Sequence, residues 1–157
     1  MTLELASLSF DRAGFVVHWR EVEATPETMR ASGWDRGEFY FSPNPGEPAR
    51  PLAKIASGGE LSRLMLAMKC LLAKKDMVDT VIFDEVDAGI GGQAAEAVAQ
   101  KIQELAGHHQ VFCITHLPQI AARGTQHFQV SKAVAGERTQ SAVIRLAPQD
   151  RVRELAR

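Results

Sequence analysis

Cysteine is scarce in this sequence, and it lacks both a long apolar run and a strong net charge. Cys70 and Cys113 are the only cysteines in 157 residues, which excludes a disulfide framework and leaves too few thiols for a cysteine metal site. Both lie in apolar segments, so we expect buried free thiols in the reducing cytoplasm. No apolar run approaches the roughly 20 residues needed to span a bilayer, and residues 1–7 lack a signal-peptide pattern. We therefore expect no membrane partner.

The net charge of −1 excludes a basic surface over the whole chain, although a local patch could still contact DNA. Apolar residues make up 45% and charged residues 24%, which is ordinary for a globular protein. A chain of 157 residues is long enough for one domain with its own core. Composition therefore predicts a single globular domain and leaves its chemistry open.

The hydrophobic pattern predicts an α/β fold that begins with antiparallel strands. Two early segments, 15–20 and 38–42, are rich in β-branched and aromatic residues, and a proline-rich connector separates them from the rest. A helix, a strand, a helix and a strand then alternate, which is typical of a mostly parallel sheet flanked by helices. We expect one domain over residues 1–157, with the antiparallel strands and the connector in 1–51 and the functional motifs in 52–157.

The end of the chain predicts a hairpin followed by a helix. Segments 128–131 and 141–146 have the composition of strands and flank a predicted turn at residues 135–137. Asp150 is the expected N-cap of a last short helix that ends at Leu155.

A serine, two glycines and a glutamate begin the longest helical pattern, within residues 54–75. Ser57 is a good N-cap, and Glu60 completes a capping box with it. Apolar residues then recur every three or four positions and predict one buried face: Leu61, Leu64, Met65, Met68, Leu71 and Leu72. Gly58 and Gly59 each cost about 1 kcal/mol against alanine in a helix. They form either a flexible cap or a place where another backbone, or an anion such as phosphate, can approach free N–H groups.

Acidic and imidazole side chains follow two apolar strands. Asp84 and Glu85 come directly after the run 81–83, which is typical of a strand buried on both faces, and His116 ends the strand 110–115. Parallel strands place ligands at their carboxyl edge, where adjacent carboxylates are costly unless a cation or water compensates them. Asp84 could hold Mg²⁺ while Glu85 activates a water, or the two could form an acidic turn. His116 could contact a phosphate or simply be solvated.

The order of these motifs resembles the C-terminal half of an ABC-type ATPase head. Residues 56–60 are similar to the signature loop, with Ala56 where many members carry leucine, and residues 81–85 are similar to a Walker B strand with its catalytic glutamate. Asp87 corresponds to the D-loop and His116 to the switch histidine. Four motifs in this order over roughly 60 residues are specific, whereas each alone is weak.

The surrounding segments narrow the resemblance to the RecN family of SMC-like ATPases in bacterial DNA repair. The similarity covers nearly the whole chain, most strongly residues 39–132, and includes Phe41-Ser-Pro-Asn-Pro-Gly-Glu-Pro and Thr115-His-Leu-Pro-Gln-Ile-Ala. It implies the C-terminal lobe of an ATPase head, with ATP and Mg²⁺ as cofactors. It also implies a role in double-strand break repair and recombination, DNA contact through the full-length protein, and a location at the nucleoid.

The resemblance implies a role for each motif residue in an ATP-driven dimer of heads. Asp84 would position Mg²⁺, Glu85 would be the general base, and His116 would contact the γ-phosphate or the attacking water. Asp87 would link the two sites across the interface. The second head would offer its signature residues to the same ATP: Ser57, Gly58, Gly59 and Glu60.

The family pattern is incomplete in this sequence. It contains no Gly-x-x-x-x-Gly-Lys-Ser/Thr phosphate loop and no long heptad stretch. We expect the N-terminal lobe of the same head and a coiled coil to lie outside this segment, and we expect the segment alone not to hydrolyse ATP. Two alternatives stay open: a non-catalytic lobe that docks on the other lobe or on DNA, and the head fragment of another SMC-like repair ATPase or ABC protein.

Overall fold

Strands and helices follow each other in the order that the hydrophobic pattern predicts. The computed structural model describes residues 1–10, 12–55, 57–135 and 138–156. Its strands are β1 (Gly14–Arg20), β2 (Arg36–Ser42), β3 (Arg50–Pro51), β4 (Thr80–Phe83), β5 (Gln110–Cys113), β6 (Phe128–Ala135) and β7 (Arg138–Arg145). Its helices are α1 (Thr2–Ser7), α2 (Gly58–Leu72), α3 (Gly92–Leu105), α4 (Pro118–Arg123) and α5 (Pro148–Leu155), with a 3-10 turn at Leu52–Lys54. The predicted α/β class is confirmed.

The first three strands form the expected antiparallel sheet, in the order β1-β2-β3. β1 pairs with β2 along its whole length, with Phe15 opposite Phe41. β3 is only two residues long, because the proline-rich connector supplies few backbone N–H groups for a ladder. Phe41 is buried, and its ring packs nearly perpendicular to the Phe10 ring with the centroids 5.3 Å apart. The sheet is thereby joined to the core of the molecule.

β4 and β5 form the parallel part of the fold, with α3 as the connection between them. Val81 lies opposite Val111, and Phe83 lies opposite Cys113. This part is smaller than the predicted mostly parallel sheet, because β4 and β5 are the one parallel pair among the described strands. The two strands end level with each other, since the Ile114 N–H donates to the Phe83 carbonyl at 2.9 Å. The residues that follow each strand therefore lie side by side.

β6 and β7 form the predicted antiparallel hairpin, with Phe128 opposite Arg145. The predicted turn at 135–137 falls largely outside the described residues. α5 begins at Pro148 and has Asp150 in its first turn, so the prediction of Asp150 as the N-cap is wrong. A proline is pre-organised for the first helical position, which explains the earlier start. None of the helices in the described part of the chain is long and apolar enough to cross a membrane.

One apolar core joins the N-terminal sheet and the β4–β5 pair with helices α1 to α4. Its largest fully buried side chains come from the N-terminal segment, β2, α2, the loop after β4, and α3: Leu5, Leu8, Phe41, Leu64, Leu66, Val86, Val98 and Leu105. Burial of such a side chain contributes about 1.5–3 kcal/mol. Val86 follows Asp84 and Glu85 directly, so its burial fixes the loop that carries both carboxylates.

The buried face of α2 differs from the predicted one. Leu64 is buried as expected, but Met65, Leu71 and Leu72 are exposed. The other buried residues of the helix are Gly59, Arg63, Leu66 and Ala67. The prediction was wrong because α2 is apolar on two sides, so that its periodicity does not choose between them. The side that packs is the one turned towards α1, α3 and the loop after β4.

β4 and β5 are buried on one face only, so the prediction of burial on both faces is wrong. Val81 and Phe83 are in the core, whereas Ile82 is 67% exposed and Phe112 and Ile114 are also exposed. We call the surface of these three residues the outer face. The core elements cover the opposite face, and no element in the described ranges covers the outer face.

Both cysteines are free and half-buried. Burial raises the pKa of the Cys70 thiol to about 11 and that of the Cys113 thiol to about 12. Both therefore stay protonated and unreactive at neutral pH. The prediction of free thiols is confirmed, and full burial is not found.

Candidate functional site

The N-terminal turn of α2 has one of the two hydrogen bonds of the predicted capping box. Ser57 is extended, with φ −89° and ψ 115°, and its hydroxyl accepts a hydrogen bond from the Glu60 N–H at 3.3 Å. The reciprocal bond from Glu60 to Ser57 is not among the hydrogen bonds of the described residues. Ala56, which stands in the predicted signature loop, lies outside those residues. The remaining free N–H groups of this turn carry the partial positive charge of a helix start.

Gly58 and Gly59 lie against the loop that follows β4, which explains why both positions lack a side chain. A Cβ on Gly58 would stand 2.7 Å from the Glu85 carboxylate oxygen Oε2. A Cβ on Gly59 would stand 2.8 Å from the Ala88 Cβ and 3.0 Å from its carbonyl oxygen. The sequence analysis left open whether a backbone segment or an anion approaches these glycines. Within this chain Gly58 faces an anion, the Glu85 carboxylate, and Gly59 faces the backbone of the loop. The flexible-cap interpretation is therefore wrong for Gly59, which is buried in this contact.

The loop from Asp84 to Ala88 turns sharply because one residue adopts a left-handed conformation. Glu85 has φ 56°, a region that costs a non-glycine residue roughly 1–2 kcal/mol. The Ala88 N–H closes the turn by donating to the Glu85 carbonyl at 3.0 Å. Buried Val86 anchors the turn, and the Asp84 and Glu85 side chains remain exposed. A strained residue with an exposed carboxylate is a common feature of functional sites.

Two residues of α2 hold this loop from the helix side. The Ser62 hydroxyl donates to the Asp84 carbonyl at 2.7 Å, and the Arg63 guanidinium donates from Nη1 to the Ala88 carbonyl at 2.9 Å. Sequence reasoning missed both residues. Ser62 reads as an ordinary polar helix position, and the sequence gives no signal that Arg63 would lie on the buried face.

Asp87 joins the loop to the end of β5. It is 3% exposed, and its Oδ2 accepts from the Thr115 hydroxyl at 2.5 Å and from the His116 N–H at 3.0 Å. The His116 ring nitrogen Nδ1 lies 3.1 Å from the same oxygen. Burial raises the pKa of Asp87, but the hydrogen bonds from Thr115 and His116 outweigh it, and the net pKa lies below the ordinary 3.8. Thr115, which sequence reasoning did not single out, is a principal partner of this carboxylate.

His116 presents its ring to solvent while Asp87 holds one side of it. The His116 side chain is 74% exposed. Because Asp87 lies beside Nδ1, the other ring nitrogen, Nε2, is the one left to meet a ligand. The predicted residues thus form one cluster at the carboxyl ends of β4 and β5, with the start of α2 beside it.

Asp84 fits Mg²⁺ only as one ligand among several. No group of three or more histidine, cysteine, aspartate or glutamate side chains in the described ranges could hold a metal. Mg²⁺ on nucleotides usually takes one or two carboxylates and completes its shell with phosphate oxygens and waters. A single exposed carboxylate at a strand end satisfies that requirement, so the donor set suits a metal that arrives with a nucleotide.

A cavity of about 800 Å³ lies elsewhere, in the long connection between β1 and β2. It is lined by charges of both signs, among them Arg20, Arg30, Glu27 and Asp35. None of the predicted site residues lines it. The cluster at the ends of β4 and β5 is an open surface, which is what a site shared with another lobe or subunit requires, so we take it as the candidate site.

Comparison with known proteins finds relatives of this chain among the RecN proteins. The chain is 44% identical over 154 residues to the DNA repair protein RecN of Halalkalibacterium halodurans, covering 98% of this chain and 27% of that protein. It is 51% identical over 138 residues to RecN of Treponema pallidum, covering 88% of this chain and 24% of that protein. The chain thus spans about a quarter of the length of these relatives. No model of a protein family matches it.

Solved structures agree on the fold. The Smc head domain with a coiled coil and joint from Pyrococcus yayanosii superposes with a TM-score of 0.65 at 21% identity, covering 99% of this chain and 27% of that one. A structure from work on ATP-driven dimerization and DNA-stimulated activation of SMC ATPases gives a TM-score of 0.54 at 21% identity, covering 99% and 86%.

The fold therefore defines a structural class, the SMC-type head domain, and the chain matches the C-terminal lobe of such a head. Within that class its sequence relatives are RecN proteins, and the chain is the counterpart of the C-terminal lobe of the RecN head. The predicted resemblance is confirmed.

Proposed function

We propose that this chain is the C-terminal lobe of an SMC-like ATPase that acts in DNA double-strand break repair and recombination. The observation that carries the proposal is the juxtaposition of Asp84, Glu85, Asp87 and His116 at the ends of β4 and β5. An ATPase needs a carboxylate for Mg²⁺, a base for the attacking water, and a donor near the γ-phosphate. This cluster offers one candidate for each. The division into residues 1–51 and 52–157 remains a prediction.

Each residue of the cluster takes the role that its position suits. Asp84 would hold Mg²⁺ with its exposed carboxylate, and Glu85 would accept the proton of the attacking water. His116 would offer Nε2 to the γ-phosphate or to that water, with Asp87 beside Nδ1. ATP with Mg²⁺ would supply the phosphoryl group and its charge compensation. DNA contact and a place at the nucleoid in the cytoplasm belong to the same proposal.

The proposed site needs two heads, and different residues of this chain would contact the ATP of each head. Asp84 and Glu85 would serve the ATP of their own head, and Ser57, Gly58, Gly59 and Glu60 would face the ATP held by the second head. The free N–H groups at the start of α2 suit a γ-phosphate. In this chain the Glu85 carboxylate lies against Gly58, so it would have to turn towards its own nucleotide when that is bound. Asp87 is engaged by Thr115 and His116, and its link to a second head is a further part of the proposal.

The outer face of β4 and β5 is the proposed docking surface for the N-terminal lobe of the same head. Ile82, Phe112 and Ile114 place apolar surface in water, and contiguous patches of this kind mark interaction sites. A lobe that covers them would also stand beside the carboxyl ends of both strands. It would then bring its phosphate loop close to Asp84.

The direct test is ATP turnover by this chain alone, and then in a mixture with the N-terminal lobe of a RecN relative. We expect no turnover by the chain alone and measurable turnover in the mixture. Glu85→Gln should keep nucleotide binding and lower turnover at least about 10²-fold, as loss of a general base does. Glu38→Gln is the matched control, because Glu38 pairs with Arg20 on the surface of the N-terminal sheet. Undiminished turnover with Glu85→Gln would refute the role of Glu85.

A second candidate function is a docking lobe without chemistry of its own, and the exposed outer face favours it as well. The two candidates differ in one outcome. A mixture that forms the complex but stays inactive, even with DNA present, would support the docking lobe. Turnover that depends on Glu85 would exclude it.

A further inference from the structure

We propose that Ser62 and Arg63 tie the signature turn of this chain to its own catalytic loop, and so couple the two ATP sites of a head dimer. The inference rests on the proposed function and adds two positioning residues to it. We call residues 57–61 the signature turn and residues 84–88 the catalytic loop. Neither Ser62 nor Arg63 would touch nucleotide. Both would act through the backbone that carries Asp84 and Glu85.

The two hydrogen bonds grip the catalytic loop at its two ends. Ser62 bonds the carbonyl of Asp84, the first residue of the loop, and Arg63 bonds the carbonyl of Ala88, the last. Gly59 lies between them against Ala88 and the Glu85 carbonyl, where a Cβ would be only 2.8 to 3.2 Å from its neighbours. A shift of the loop by an ångström would therefore break a bond or create a clash. The helix start and the loop must move together.

Arg63 is held in a way that makes this contact specific. It is 8% exposed, and its guanidinium lies over the Phe10 ring at 5.2 Å from the centroid. Burial lowers its pKa, and its Nε has no partner among the described residues. Keeping a charged group there is costly, so the site is poor as a mere stabilising contact. A planar guanidinium can stack on a ring and donate to a carbonyl at once, which a lysine cannot.

The connection between the catalytic loop and the signature turn matters because the two segments would contact different ATP molecules. In the proposed dimer the catalytic loop of one chain acts on the ATP of its own head, and the signature turn of that chain acts on the ATP of the other. A displacement of the backbone of the catalytic loop by its own nucleotide would therefore be transmitted through Ser62 and Arg63 to the second site. The expected result is positive cooperativity in ATP hydrolysis, which requires an element that both sites bias.

The first test uses this chain without nucleotide and measures amide hydrogen exchange. Ser62→Ala should raise the exchange rates of the hydrogen-bonded amides of both segments together, namely Ala88 in the catalytic loop and Glu60 and Leu61 in the signature turn. The expected increase is about three- to ten-fold, as loss of one hydrogen bond gives. Ser62→Thr, which keeps the hydroxyl, should restore protection. Ser42→Ala is the matched control, since the Ser42 hydroxyl also lies within hydrogen-bond distance of backbone carbonyls, those of Asn44 and Glu47. Faster exchange in only one of the two segments would overturn the proposal.

The second test measures the ATP dependence of turnover in the assembled head. We expect a Hill coefficient clearly above 1 that falls towards 1 with Ser62→Ala and Arg63→Gln, while kcat changes less than about five-fold. Arg36→Gln is the control for the arginine, because Arg36 donates to the Gly33 and Thr28 carbonyls far from the site. A coefficient of 1 in the unsubstituted protein, or one that both variants leave unchanged, overturns the inference. Absence of turnover altogether would instead count against the proposed function. The exchange experiment would then still test whether Ser62 and Arg63 connect the two segments.

Discussion

Two helices of this molecule begin with paired glycines, and the structure uses the two pairs differently. Gly58 and Gly59 at the start of α2 are crowded, with Glu85 and Ala88 inside the space that a side chain would need. Gly91 and Gly92 at the start of α3 have no atom within 4 Å of an added Cβ, but Gly92 has φ 54°. The first pair thus makes room for a neighbour, and the second supplies a backbone conformation. An identical dipeptide in the sequence does not distinguish these two reasons.

The loop of residues 84–88, which packs against the crowded start of α2, is attached through Asp87 to Thr115 and His116 after β5. Asp87→Ala should cost about 3 kcal/mol of the free energy of unfolding, because it leaves the Thr115 hydroxyl and the His116 N–H without their buried acceptor. Denaturation in urea at pH 7 measures this.

Acid should remove the same stabilisation in the unsubstituted chain. The pKa of Asp87 in the folded state lies below the ordinary 3.8, although burial opposes this. The stability it contributes is therefore present above about pH 4 and is lost as the pH falls through the folded-state pKa. The difference in unfolding free energy between the unsubstituted chain and Asp87→Ala should shrink in that window. A difference that stays constant from pH 7 to pH 3 would contradict the assignment.

Gly59→Ala should lower the free energy of unfolding by about 2 kcal/mol, within the range for overpacking a tight contact. Its Cβ would meet the carbonyl of Ala88 at 3.0 Å, and backbone cannot swing aside. The measurement is the urea midpoint at constant m-value. A neutral result would show that the loop moves freely relative to α2, and that would also weaken the proposed tie.

Gly92→Ala should cost about 1 kcal/mol for a different reason, since its left-handed φ is unfavourable for any side chain. The neighbouring Gly91→Ala is the control, because Gly91 is extended with φ −167° and has open space around it. The control should change the stability by less than about 0.5 kcal/mol. Equal losses at both positions would show that space, and not conformation, matters at this helix start.

Gly58→Ala should have the smallest effect on stability, within about 0.5 kcal/mol. Its Cβ would meet the far end of the Glu85 side chain, which can rotate away, and alanine is the better helix former. The same substitution should displace the Glu85 carboxylate. In the assembled head we therefore expect turnover to fall several-fold while the unfolding midpoint does not change. Gly59→Ala, in contrast, should lower the unfolding midpoint.

The sequence predicted the local features of the site and missed those that depend on contacts between distant segments. Ser57 as N-cap and the positions of Asp84, Glu85 and His116 at strand ends follow from spacing and strand polarity. The contact of Arg63 with Phe10 and Ala88 does not, because it joins segments far apart in the chain. The two-sided burial of β4 was wrong for a related reason. An apolar run shows that a strand can be covered on both faces, but it does not show which chain segment provides the cover.

The outer face of β4 and β5 also affects how strongly the isolated chain self-associates, both in solution and in a cell. Three large apolar side chains in water, Ile82, Phe112 and Ile114, form the kind of surface on which unassembled subunits stick to one another or are held by chaperones. The concentration at which this chain stays monodisperse should therefore rise when the proposed docking partner, the N-terminal lobe, is added. The time for which the purified chain stays monodisperse would then indicate whether that face is covered.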